Sequence, residues 1–133
     1  MKTKSTELTG MALDWAVAKC EGVRLWTDSS NDLVITHGHL LHFQKDWVKY
    51  NPSTDWSQGG AILEREWVNL DNGSNHHPHL WCATKYDSNG EPVNAYGQTM
   101  LEAGLRCYVA AKLGDEITVP VQLMSGAALS LQS

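Results

Sequence analysis

Thr99 and Glu102 stand three residues apart at the head of the apolar run T-M-L-E-A-G-L-R-C-Y-V-A-A-K-L-G, and that spacing fixes where a helix begins. The hydroxyl of the first residue and the carboxylate of the fourth each satisfy a free backbone N–H of the opening turn. Leu101, Leu105, Tyr108, Val109 and Lys112 then recur at helical intervals up to Gly114, so a helix is predicted over about 100–113. The segment E-L-T-G-M-A-L-D-W-A-V-A-K-C-E-G supplies a second. Leu8, Met11, Ala12, Trp15 and Ala16 form one stripe, widened by Leu13, Val17 and Cys20; Thr9 caps it and Gly22 stops it, giving a helix over about 10–21.

Strand formers fill the space between. Val23 to Trp26 and Leu33 to Phe43 read as strands around a polar loop from Asp28 to Asp32. Val68 to Leu70 and His79 to Tyr86 read as two more, separated by the turn Asp71-Asn72-Gly73 and an exposed segment, with Asp87 to Pro92 forming another turn. In Y-N-P-S-T-D-W-S-Q-G-G-A-I-L-E-R-E-W, Pro52 sets an extended entry, Ser53, Thr54 or Asp55 can cap, and Ala61 to Trp67 suits a short helix. Gly59 and Gly60 weaken that helix, because an interior glycine costs about 1 kcal/mol. Ile117-Thr118-Val119 suits an edge strand before Pro120, and residues 121–133 are expected to end loosely. The expectation is one α+β domain over residues 1–133, a small sheet with two main helices packed on it.

Charge and cysteine usage narrow the class of partner. A net charge of −5 with no block of like charge repels phosphate backbones and gives no mimic of DNA, so nucleic acid is disfavoured. No apolar run approaches the ~20 residues that cross a bilayer. Cys20, Cys82 and Cys107 form no C-x-x-C pair and no signal peptide is recognised, so the expected setting is cytoplasmic with reduced thiols.

Four segments taken in order, E-L-T-G-M-A-L-D-W-A-V-A-K-C-E-G, P-S-T-D-W-S-Q-G-G-A-I-L-E-R, W-C-A and L-R-C-Y-V-A-A-K-L-G-D-E-I-T-V-P, resemble the NinX-like proteins of tailed phages. The resemblance covers most of the chain and implies a phage origin. It also implies the α-β-α sandwich of a broader group of phage domains, in which a Ser/Thr-Asp-capped segment, a Trp-containing strand and a final helix recur. Ala61 departs from it, standing where Pro is expected after paired glycines. The His-rich stretches at 36–43 and 75–79 lie outside the resemblance.

Candidate sites follow from residue type. His37, His39 and His42, and His76, His77 and His79, are metal-competent in kind, but they lack the Asp of a metallo-β-lactamase pattern and the H-x-T or H-x-S pairs of a two-histidine phosphoesterase. A native metal site is not expected, nor a catalytic residue or cofactor. Cys20 and Cys107 sit on apolar helix stripes, as small hydrophobes do. No phosphate-loop, dinucleotide or serine-hydrolase motif occurs.

The stretch from Tyr50 to Arg65 gathers Tyr50, Ser53, Thr54, Asp55, Trp56, Gln58, Gly59, Gly60, Glu64 and Arg65. Such a loop can offer backbone N–H groups, an aromatic face and an arginine to an anionic ligand, or it can be a capped turn with Trp56 in the core. Arg106 can join it, or pair with Asp14 or Glu64. Six tryptophans exceed what a core of this size requires; Trp15 is assigned to the core, and Trp47, Trp56 and Trp67 to a binding surface.

The functional expectation is a non-enzymatic phage accessory protein that binds and neutralises a host component. One target is a small anionic signalling nucleotide of a defence system, held at the Tyr50 to Arg65 loop or between protomers of a homo-oligomer, as a counter-defence sponge. The other is a host protein held by an exposed tryptophan surface. A small hydrolase using a His-bound metal is the rival from a different class.

Overall fold

The computed structural model describes residues 2–27, 32–36, 47–72, 79–120 and 123. Helix α1 spans Gly10–Glu21, α2 Trp56–Arg65 and α3 Met100–Leu113. The strands are β1 (Lys2–Lys4), β2 (Trp26–Thr27), β3 (Leu33–Thr36), β4 (Trp47–Lys49), β5 (Asn69–Asn72), β6 (Trp81–Tyr86), β7 (Pro92–Gly97) and β8 (Glu116–Thr118). The chain is therefore mixed α+β, as expected.

The two outer helices begin and end where their caps place them. Gly22 closes α1 in the left-handed region, with φ 70°, and its N–H donates to the carbonyls of Ala18 and Lys19. At the head of α3, Glu102 N–H donates to Thr99 Oγ1 at 3.0 Å. The return half of the box is displaced by one residue, since the Glu102 carboxylate accepts from Gln98 N–H at 2.9 Å. The other Glu102 oxygen accepts from the Thr9 hydroxyl at 2.9 Å, so Thr9 ties α1 to α3 rather than capping its own helix.

Helix α2 starts at Trp56, five positions before the expected Ala61, and runs through both glycines. Asp55 is the cap: its carboxylate accepts from Ser57 N–H at 2.9 Å and from the Ser57 hydroxyl at 2.7 Å. The reason the glycines belong in the helix is steric. A Cβ on Gly59 would stand 2.2 Å from the Pro52 carbonyl oxygen and 2.8 Å from Leu101 Cδ2, so only glycine lets α2 lie against its own entry turn and α3.

Helix α3 is the centre of the molecule. Leu101, Leu105, Tyr108 and Val109 pack with Leu8, Leu13, Val17 and Leu63 in one core. Its other flank meets the antiparallel sheet β5-β6-β7, where Ala83, Ala95, Ala103 and Cys107 form a second cluster. These side chains are small, which lets helix and sheet approach closely. Strands β2-β3-β4 form a second antiparallel sheet and β1 pairs with β8, Lys2 opposite Thr118. The Ser5 hydroxyl donates to the Gly114 carbonyl, clasping the two ends.

Some strands were not expected. Strands β1 and β4 have three residues each, too few for a period to register. Strand β7, P-V-N-A-Y-G, contains Pro, Asn and Gly, and exists because all six residues pair with β6 from Trp81 opposite Gly97 to Tyr86 opposite Pro92. The expected edge strand at Ile117 forms, as β8. Trp15 and Met11 flank the core half-buried instead of lying inside it. The expected strand residues 37–43 and most of the tail lie outside the described residues.

Candidate functional site

The Tyr50 to Asp55 segment is a turn closed largely by bonds to Gln58 and Ser57 of α2. Tyr50 is buried and its N–H donates to the Leu33 carbonyl at 2.8 Å. Gln58 closes the turn, its amide donating to the Lys49 carbonyl at 2.8 Å and to Asn51 Oδ1 and Asp55 Oδ2 at 3.1 Å each, while its oxygen accepts from Asn51 N–H at 3.0 Å. The Thr54 hydroxyl accepts from the Asn51 amide at 3.0 Å. Bonds from the Ser57 hydroxyl and N–H hold the Asp55 carboxyl below the usual carboxylate range.

Beneath this turn lies a buried carboxylate. Asp14 of α1 is 4% exposed and accepts from Ser53 N–H at 2.8 Å. Burial pushes its pKa from the ordinary 3.8 up to about 6, against the opposing pull of the Ser53 N–H, the neighbouring Ser53 hydroxyl and Lys49. That hydroxyl is itself buried, with no partner in hydrogen-bonding geometry.

Arg65 is held at the far end of α2. It pairs with both oxygens of Glu21 and, through Nε, with Glu66 at 2.8 Å. The Tyr108 hydroxyl donates to the same Glu21 carboxylate, whose pKa is lowered, first of all by Arg65. Glu64 is exposed.

Arg106 pairs with neither Asp14 nor Glu64. It donates to the carbonyls of Leu8 and Tyr96 at 2.7 Å each and stands 3.5 Å from Glu102. It lines a cleft of about 600 Å³ with Thr6, Thr9, Asn94, Tyr96 and Gln98, whereas Glu64 and Arg65 border a different one of about 540 Å³ with Ala61, Trp67 and Val68. The structure thus gathers Tyr50 to Gly60 around one capped turn, and sets Arg65 and Arg106 apart from it.

The tryptophans divide by what lies over them. Trp26, 43% exposed, sits under Arg24 at 4.9 Å. Trp56 is 52% exposed and lays one side of its ring on α2, where a Cβ on Gly60 would come within 2.6 Å of it. Trp67 is 86% exposed and its backbone is left-handed, with φ 57°.

The cause of that φ is the end of α2. Val68 N–H donates to the Leu63 carbonyl at 3.1 Å and Trp67 N–H to the Glu64 carbonyl at 3.3 Å, the pair of bonds of a Schellman termination. Glycine is the usual occupant of this position, and a bulky side chain there is an outlier. Trp56 opens α2 and Trp67 stands two residues past its last residue, Arg65, where it borders the cleft with Ala61, Glu64 and Val68. The side chain of Trp47 lies outside the described residues. Sequence reasoning named Trp67 for its exposure; nothing in it signalled the backbone conformation.

The remaining candidates carry little chemistry. Burial pushes the thiols of Cys20 and Cys107 up to about 12, so both are protonated near neutrality, and Cys107 donates to the Val93 carbonyl. His79 is exposed, and the other five histidines lie outside the described residues. Among the described residues no three His, Cys, Asp or Glu side chains are grouped to hold a metal ion, and no helix is long and apolar enough to cross a membrane.

No curated protein matches the chain. Residues 4–112, from β1 through nearly all of α3, match the family described as Bacteriophage P22, NinX, and the chain belongs to that family.

Proposed function

We propose that this chain is a non-enzymatic phage accessory protein that acts by binding, and that its partner is a host protein docked on Trp67, just past the end of α2. The observation that carries this reading is Trp67, 86% exposed on a left-handed backbone. A non-glycine residue there costs on the order of 1 kcal/mol, and nothing among the described residues packs over the indole to offset it. Docking a partner would. Burying a tryptophan removes about 150–250 Å² from water, worth roughly 4–6 kcal/mol before the costs of association. Tryptophan is also the side chain most enriched at binding hot spots.

An anionic nucleotide at the Tyr50 to Arg65 stretch is the weaker reading, on electrostatic grounds. Asn51, Thr54, Asp55, Ser57 and Gln58 already bond to one another, and a phosphate would have to displace Glu21 and Glu66 from Arg65 in a protein of net charge −5. The experiment is photo-crosslinking in infected cells, with a benzophenone amino acid at position 67 and, as control, at exposed Leu113. One host protein crosslinked from position 67 and not from 113 is expected. The same products from both positions would defeat the proposal, as would a nucleotide retained by the purified protein.

A further inference from the structure

Among the described residues strand β7 is an outer strand of the sheet β5-β6-β7, and its register shows which backbone groups face outward. At the hairpin, Asp87 N–H donates to the Glu91 carbonyl at 2.9 Å. Bonded pairs alternate along an antiparallel ladder, so Lys85/Val93, Ala83/Ala95 and Trp81/Gly97 exchange bonds across the pair. The backbone groups of Pro92, Asn94 and Tyr96 therefore point away from β6. Arg106 agrees with this assignment, because it reaches the Tyr96 carbonyl from the outer side.

An open edge is usually blocked by a proline, a lysine, a bulge or a covering element. Pro92 blocks the start of this one, and the Asn94 N–H and carbonyl beyond it face a cleft of about 600 Å³. Thr6, Thr9 and Gln98 bring hydroxyl and amide groups to that cleft; its charges, Arg106 and Glu102, stand 3.5 Å apart and offset each other.

We infer that the β7 edge accepts an extended segment of a partner polypeptide as a fourth strand, pairing at Asn94 and laying small uncharged side chains over Thr6 and Thr9. A main-chain donor and acceptor side by side on a strand edge are complemented by another strand. The lack of net charge along the cleft selects against acidic and basic segments, and the net charge of −5 disfavours a second copy of this chain. The inference does not depend on Trp67.

The test uses the full chain and a displayed pool of random dodecapeptides. Peptides enriched on the wild type are expected to weaken by about tenfold, the loss of one main-chain bond, against Asn94→Pro. They are expected to bind Asn94→Ala, which keeps the N–H, with unchanged affinity. Asn94→Pro removes an outward N–H on an edge strand, the place where proline is tolerated. Should it fail to fold, N-methylation of alternate residues of the peptide, bound to the wild-type protein, reads the companion bond from the peptide N–H to the Asn94 carbonyl, with loss expected at one parity only. Absence of any enriched peptide, or equal binding to Asn94→Pro, overturns the inference. So do peptides lost with Trp67→Gly but kept by Asn94→Pro, which would assign binding to α2 alone, and a wild-type dimer dissolved by Asn94→Pro, which would make the occupant a second copy.

Discussion

Replacing Asp14 by Asn should stabilise the protein at neutral pH, and the size of the effect follows from where Asp14 sits. Its carboxyl is buried between α1 and the turn before α2, and its pKa rises from 3.8 to about 6 on folding. A raised carboxyl pKa means that folding favours the protonated form. Below about pH 4 the group is protonated in both states and imposes no penalty; between pH 4 and 6 the penalty grows; above 6 it is complete. A shift of about two units at ~1.4 kcal/mol each sets the ceiling near 3 kcal/mol. Asparagine keeps an oxygen to accept the Ser53 N–H, and its amide can donate to the unpartnered Ser53 hydroxyl. Urea unfolding followed by tryptophan fluorescence from pH 4 to 8 should show Asp14→Asn more stable by about 1–3 kcal/mol at pH 7, converging with the wild type near pH 4. A variant less stable than the wild type at pH 7, or a difference independent of pH, would refute the reasoning.

Two further outcomes follow from the packing. Gly59→Ala should destabilise by about 1–3 kcal/mol, because its methyl would meet the backbone oxygen of Pro52, whereas Gly104→Ala should be milder because its nearest neighbour is the Leu63 side chain, which can turn; thermal melts compare them. A thiol reagent at pH 8 should label the half-buried Cys82 in the native protein, and Cys20 and Cys107 only after denaturation; rapid labelling of all three without denaturant would contradict the burial of the helix cysteines.

The outer helices were legible because their ends are written in local chemistry. Thr99, Glu102, Gly22 and the apolar spacing act within one or two turns of chain. The start of α2 was misplaced because the glycine penalty is a local rule, and the reason to violate it, the approach of Pro52 and Leu101 to Gly59, is a tertiary one. Strand β7 was missed for a similar reason: its residues are poor strand formers, and its pairing with β6 overrides them. In the candidate site, the spacing rules identified the Asp55 cap among its alternatives, and composition pointed to Trp56 and Trp67. The partners of Arg106 are carbonyls of Leu8 and Tyr96, and a carbonyl leaves no mark in a sequence. Trp67 at a glycine position is equally silent until the bonds at the end of α2 are seen.

Trp67→Gly separates folding from binding, since it relieves the left-handed strain while deleting the exposed indole. The decisive measurement is native mass spectrometry of untagged wild type and Trp67→Gly recovered from infected host cells. We predict that the variant is at least as stable as the wild type, by about 1 kcal/mol, and has lost the host protein that the wild type carries. A folded Trp67→Gly that keeps the same partner at the same occupancy would contradict a docking role for Trp67 at the end of α2.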